Sequence, residues 1–278
     1  MKVHFFDRNI VRRYASIISW FSVVVSIIAI IIPFPETWSR KTALIVLLSC
    51  FGLVYICTWL WANKLKKVKI AIRNTKIVVK EGDIFAEDTK KVIPFNEYFD
   101  THVGDGIIDE KSLNGIYIKK KANRSPSDLY NDIILNLQEV RRKTPLSVDS
   151  ERKNGGKIRF ELGTLYDDGN DYFLLAYSRF DDQNRAYLSQ NDLLRCYINM
   201  WSEIDVLRGI NSISMPVLGG SGLVRFSKDP TPQQLIELIL WSFRVSGINL
   251  SRNCTLNIIV HKGMLEDNNF LKLLSSSD

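Results

Sequence analysis

Two uninterrupted apolar runs, residues 15–34 and 43–62, open the chain, and each holds 20 residues without a charged side chain. A helix rises about 1.5 Å per residue, so about 20 residues cross a hydrocarbon core about 30 Å thick. The segment 35–42 between them is too short for a domain, so the two predicted helices are antiparallel neighbours. Trp59 and Trp61 stand near the end of the second run, where interfacial indoles belong. A cleaved signal peptide is the competing reading of the first run. Its length, its lack of a small-residue cleavage site and the second span close behind argue against it.

Charge sets the expected orientation. Lys2, Arg8, Arg12 and Arg13 precede the first run, and Lys64, Lys66, Lys67 and Lys69 follow the second; only Arg40 and Lys41 lie between. Positive flanks stay inside, so both termini are expected in the cytoplasm, with two spans in the inner (plasma) membrane. The same residues account for the net charge of +7. Residues 1–69 carry ten Lys/Arg and two Asp/Glu, and subtracting these from 37 and 30 leaves 27 and 28 in 70–278, a net of −1. The basic excess is juxtamembrane, suited to a lipid bilayer with anionic headgroups rather than to nucleic acid. Runs of three cations at 119–121 and 141–143 are expected to be solvated faces.

Cys50, Cys57, Cys196 and Cys254 form no CxxC pair, and His4, His102 and His261 lack ligand spacing. Neither a disulfide framework nor a metal site is expected, and each histidine reads as structural or exposed.

After 64–69, a short exit without a Gly/Ser linker, strand and helix patterns alternate. Segments 69–73, 76–85, 157–162, 171–178, 211–217 and 254–261 read as strands. Segments 127–142 (capped by Ser127), 189–208 (ending at Gly209) and 231–246 read as helices. The last has Thr231 and Gln234 as a capping box, Pro232 in its first turn and Gly247 beyond its end. The domains expected are a membrane hairpin over 1–69 and an α/β domain over 70–278.

Three glycine-bearing loops follow strand-like segments, where α/β folds bind ligands. They are Gly82-Asp83-Ile84-Phe85, Gly104-Asp105-Gly106-Ile107-Ile108 and Gly219-Gly220-Ser221-Gly222-Leu223. Glycine lets backbone N–H groups approach phosphate oxygens, and successive amides form anion nests. Together with Asn96, Phe99 and Asp100, these loops resemble the macro domain, an ADP-ribose-binding α/β fold with a mixed sheet and helices on both faces. Gly82-Asp83-Ile84 matches that family's opening GDI, whose Asp accepts from the adenine amine. Asn96 followed by Phe99 resembles its Asn-x-x-Leu, whose Asn faces the distal ribose. Residues 104–107 stand where a GGGV loop cradles the pyrophosphate, and 219–223 where the second phosphate loop lies.

The chain departs from that pattern at two places. Ile93 and Pro94 occupy the stretch where a second asparagine would fall, and Asp105 replaces a glycine in the phosphate loop. A carboxylate beside a diphosphate is unfavourable unless a cation intervenes, such as one carried by the ligand; alternatively Asp105 turns into solvent.

A two-span hairpin ahead of such a domain resembles the transmembrane macro effectors of type II Thoeris antiphage defence. That resemblance implies an ADP-ribose-derived signal, histidine-ADP-ribose, made by a partner TIR-domain enzyme. It also implies homo-oligomer assembly on activation, membrane disruption that stops the infected cell, and no enzymatic activity, catalytic residue, cofactor or metal. The amine and imidazole of such a conjugate would suit Asp105 or Asp100. A membrane-tethered ADP-ribosyl hydrolase using Asn96 and Asp100 is the second reading. A receptor that binds only protein is the third, and it leaves the glycine loops unexplained.

Overall fold

The computed structural model describes residues 3–31, 39–104, 106–207, 212–220, 222, 224–226, 229–248, 250, 254–264 and 270–275. The chain divides into two compact units. One is formed by Met1–Val68 together with Glu266–Asp278, the other by Lys69–Leu265.

The first unit contains α1 (Arg8–Ile31) and α2 (Arg40–Lys64). Both include stretches long and apolar enough to cross a membrane, Arg8–Ile28 and Lys41–Lys64. Helix α1 begins before its uncharged run, because Arg8, Arg12 and Arg13 continue it outward with no helix breaker, and α2 extends past its run at both ends. The N-terminal residues fold back on the end of α2: the Val3 N–H donates to Asn63 Oδ1 at 3.1 Å, and Trp59 Nε1 donates to the Val3 carbonyl at 3.0 Å. The Arg13 guanidinium lies 4.2 Å from the Trp61 ring centre. The C-terminal helix α7 (Phe270–Ser275) joins this unit, Leu271 packing with Val3, Ile10 and Ala62. Among the described residues after Val260, Phe270–Ser275 thus group with the hairpin.

The second unit, with the start of β1, is a mixed sheet with helices on both faces. In chain order its elements are β1 (Lys67–Ile72), β2 (Thr75–Glu81), β3 (Lys90–Asn96), α3 (Leu113–Lys120), α4 (Pro126–Leu135), β4 (Ser147–Val148), β5 (Ile158–Arg159), β6 (Leu165–Asp167), β7 (Tyr172–Phe180), β8 (Ala186–Leu188), α5 (Gln190–Val206), β9 (Ser212–Pro216), β10 (Arg225–Phe226), α6 (Pro232–Ser246) and β11 (Thr255–Val260). Among the described residues the main sheet runs β1-β2-β11-β9-β3-β7-β8-β10, with β6 also on β7; β4 and β5 pair separately. The central neighbours β2, β11, β9, β3 and β7 are parallel, so their C-terminal ends share one edge. Strand residues alternate between faces. Ile93, Phe95, Leu174 and Ala176 meet Tyr117, Ile118, Leu129 and Ile133 of α3 and α4 on one side. On the other side α5 lies along β7 and packs on α6, with Trp201 Nε1 donating to Ser242 Oγ at 3.0 Å.

Local chemistry sets several boundaries. Thr231 and Gln234 form the capping box of α6, and Gly247 ends it at φ 76°. Ser189 caps α5 through the Asp192 N–H. The expected helix over 127–142 begins earlier, because Ser125, not Ser127, accepts from the Asp128 N–H and Pro126 takes the first turn. It also breaks at Leu135 into a π-turn over Asn136–Val140. The expected strand over 76–85 stops at Glu81, because Asp83 caps a 3₁₀ turn at Ile84–Ala86 instead. Helix α3 and the short strands β6, β8 and β10 carry too little periodicity to be read from sequence.

Candidate functional site

A cleft of about 1550 Å³ opens at the C-terminal ends of the parallel strands. Its walls come from the turn after β2 (Gly82–Phe85), the end of β3 (Asn96), the loop at 104–108, the end of β7 (Tyr177–Phe180), the loop after β9 (217–222) and the residues after β11 (His261 to Met264). Strand polarity explains the location: every parallel strand delivers its outgoing turn to this edge.

The turn after β2 is set by Asp83, whose Oδ1 accepts from the Phe85 N–H at 3.0 Å while the side chain stays exposed at the rim. Ile84 is buried and Phe85 half-buried beneath it. Gly104 and Gly106 both hold positive φ, 104° and 75°, with open space at the Cβ position. Their loop closes on itself through the Ile107 N–H to the Gly104 carbonyl at 3.0 Å. Ile107 and Ile108 are buried beside it. Gly219 holds φ 83°, and a Cβ there would stand 2.6 Å from Tyr177 Oη and 2.8 Å from Phe226 Cζ. Only glycine fits both the backbone and the close approach at that position. Gly220 and Gly222 complete the described part of this wall. Asp105, Ser221 and Leu223 lie outside the described residues.

Three of the sequence-predicted residues around the β3 exit are structurally engaged. Asn96 lines the cleft, but its Oδ1 accepts from the Tyr98 and Asp100 N–H groups (3.0 and 3.3 Å), and its Nδ2 donates to Asp100 Oδ2 at 2.9 Å. Phe99 does not reach the cleft. It is fully buried at φ 53°, its ring against Phe95 and Phe160, and holds the left-handed turn because the core receives its side chain. Asp100 is also withdrawn, into a bidentate pair with Arg152 (3.1 and 2.7 Å), and accepts from the Gly156 N–H at 2.6 Å. It borders a separate cavity of about 280 Å³.

Other cleft residues escaped the sequence reading. Lys120 and Lys121 are exposed, as expected of a solvated face, and also border the cleft with Lys111, Arg185, Arg225 and His261. Among the described residues that line the cleft, five Lys/Arg stand against Asp83, Asp109 and Glu110, a balance that favours an anionic ligand. Nothing in the run at 119–121 pointed to this cleft; the position of α3 beside β3 places its C-terminal end at the rim. Arg185 and Arg225 carried no signal either, because the short strands β8 and β10 bring them together.

Two groups in this region depart from ordinary acidity. The Arg185 backbone N–H, followed by the guanidinium groups of Arg185 and Arg225, holds the Asp181 carboxyl well below the usual carboxylate range. Burial pushes the Tyr177 phenol well above its ordinary value, so it stays protonated. Among the described residues no group of three or more His, Cys, Asp or Glu is arranged to hold a metal ion.

Residues 77–261 match the family model described as "Thoeris protein ThsA, Macro domain". The Thoeris protein ThsA of Bacillus amyloliquefaciens (strain Y2) is 33% identical over 243 residues, covering 84% of this chain and 79% of that protein. Among solved structures, the Oceanobacillus iheyensis macrodomain with ADP superposes with a TM-score of 0.48 at 12% identity, over 76% of this chain and 98% of that one. The same macrodomain with MES bound gives 0.46 at 12% identity, over 76% and 98%.

Proposed function

Because the chain belongs to the Thoeris ThsA macro-domain family, we propose that it is a membrane-anchored effector of antiphage defence whose macro domain binds an ADP-ribose-derived signal. The observation that carries this is the cleft itself. Glycine turns at 82, 104–106 and 219–222 converge at the strand ends, Asp83 presents a free carboxylate oxygen at one side, and the described lining residues carry more Lys/Arg than Asp/Glu. Asp83 accepts from the adenine amine, and the glycine turns offer backbone N–H groups to the diphosphate.

The signal is histidine-ADP-ribose made by a TIR-domain enzyme. The protein sits in the inner membrane with both termini cytoplasmic, an orientation supported by the Lys/Arg flanks of the two apolar helices. Two helices per chain cannot enclose a pore, so activation proceeds through a homo-oligomer. The signal drives it only by binding the assembled arrangement more tightly than the resting one. The chain acts as a sensor rather than a hydrolase: Asn96 is bonded to Asp100, and Asp100 is paired with Arg152, which supports binding without turnover.

The test is calorimetric titration of the full chain in detergent micelles with ADP-ribose and with histidine-ADP-ribose. Mass spectrometry of the recovered ligand and dye release from liposomes carrying the protein complete it. Tight binding of intact conjugate with ligand-dependent leakage is expected. Recovery of cleaved conjugate makes the protein a hydrolase, and binding of neither compound removes the reading.

A further inference from the structure

We infer that Arg185 and Arg225 form an anion subsite at the mouth of the cleft that takes the carboxylate of an amino-acid group on the distal end of an ADP-ribose-type ligand. This rests on the ligand class proposed above and adds the residues that read its end group.

The subsite is built on the β7–β8 hairpin. Asp181 Oδ1 accepts from the Gln183 and Arg185 N–H groups at 3.0 and 2.9 Å, and the Asn184 N–H donates to the Asp181 carbonyl at 2.9 Å. From behind, Arg152, already pinned by Asp100, donates to Asn184 Oδ1 at 2.8 Å. The loop is therefore fixed from within and from the domain core.

On this rigid tip Asp181 Oδ2 accepts from Arg185 Nε at 2.9 Å and from Arg225 Nη2 at 2.8 Å. Two guanidinium groups thus converge on a single oxygen, so the trio of Asp181, Arg185 and Arg225 by itself carries +1, with the exposed Asp182 next along the turn. Like charges held close repel, and one anion offsets only part of that. Both side chains are about half exposed, at 56% and 51%, and both line the cleft. Both Nη groups of Arg185, and Nη1 and Nε of Arg225, have no protein partner among the described residues.

An isolated surface ion pair adds little to stability, so the cluster is not explained as a brace. Paired guanidinium forks suit a planar carboxylate, which they bind bidentately. With the diphosphate proposed above to take the amides of the glycine turns, the arginine pair is available to a second anionic group. Asp181 accepts four hydrogen bonds already and serves to position the arginines rather than to bind an amine.

The experiment titrates the full chain in detergent micelles with ADP-ribose, its histidine conjugate and its histamine conjugate, which lacks only the carboxylate. At least tenfold tighter binding of the histidine over the histamine conjugate is expected. The double variant R185Q/R225Q is expected to lose that ratio, weakening the histidine conjugate at least tenfold more than ADP-ribose or the histamine conjugate. Equal affinity of the wild type for the two conjugates overturns the subsite and leaves ADP-ribose recognition standing. Parallel weakening of all three probes in the variant assigns the pair to the diphosphate and also overturns it. No binding of any probe to the wild type removes the ligand class and the subsite together.

Discussion

Tyr177 tests the account of the cleft floor most directly. Its side chain is 2% exposed, and its hydroxyl has no hydrogen-bond partner among the described residues. It sits beneath Gly219, which lacks the Cβ that would collide with it. A buried polar group without a partner costs about 1–3 kcal/mol. Tyr177→Phe removes that group and keeps the ring. The oxygen-sized void it leaves, roughly 10–15 Å³, costs about 0.3 kcal/mol at about 24 cal/mol per Å³. The folded state should therefore gain about 1–2 kcal/mol. At about 2–4 °C per kcal/mol for a domain of about 200 residues, Tm should rise by roughly 2–8 °C. Thermal unfolding of the full chain in detergent, followed by near-ultraviolet circular dichroism, measures this. A Tm below that of the wild type would refute the reasoning, because it would show that the hydroxyl is hydrogen-bonded in the folded protein.

Three further outcomes follow from the same geometry. Gly219→Ala puts a side chain at φ 83° and into Tyr177 and Phe226; a loss of about 1–3 kcal/mol in stability and weaker ADP-ribose binding are expected in denaturant titration and calorimetry. Asp100→Ala leaves Arg152, 8% exposed, without its charge partner, and should cost about 3–5 kcal/mol; an unchanged denaturation midpoint would exclude the pair as the brace of this region. The Arg179 guanidinium is the largest cause holding Asp192 below its ordinary value. With the folded pKa below the unfolded one, the stabilisation is complete above about pH 4 and is lost as pH falls through the lower folded value. The unfolding midpoint should therefore drop more steeply below pH 4 in the wild type than in Asp192→Asn.

Local chemistry was legible wherever it was self-contained. The uncharged runs at 15–34 and 43–62 predicted α1 and α2 because chain length against apolar thickness needs no tertiary information. The capping box of Thr231 and Gln234 and the glycine at 247 bounded α6 for the same reason. Glycine turns at 82, 104–106 and 219–222 were identifiable because backbone approach demands that residue type, and the fold brings their described members to one cleft.

Which polar side chains face that cleft was decided only by the tertiary structure. Asn96 and Asp100 sit four residues apart and read as one site, yet Arg152, 52 residues further on, draws Asp100 away. Phe99 filled a motif position, but the hydrophobic core claimed its ring. Arg185 and Arg225 are 40 residues apart in sequence and meet because β8 and β10 pair in parallel beside them. Turn geometry and span length are properties of a short segment, which the sequence states outright. The partner of a charged side chain is settled by competition among groups that only folding brings within reach.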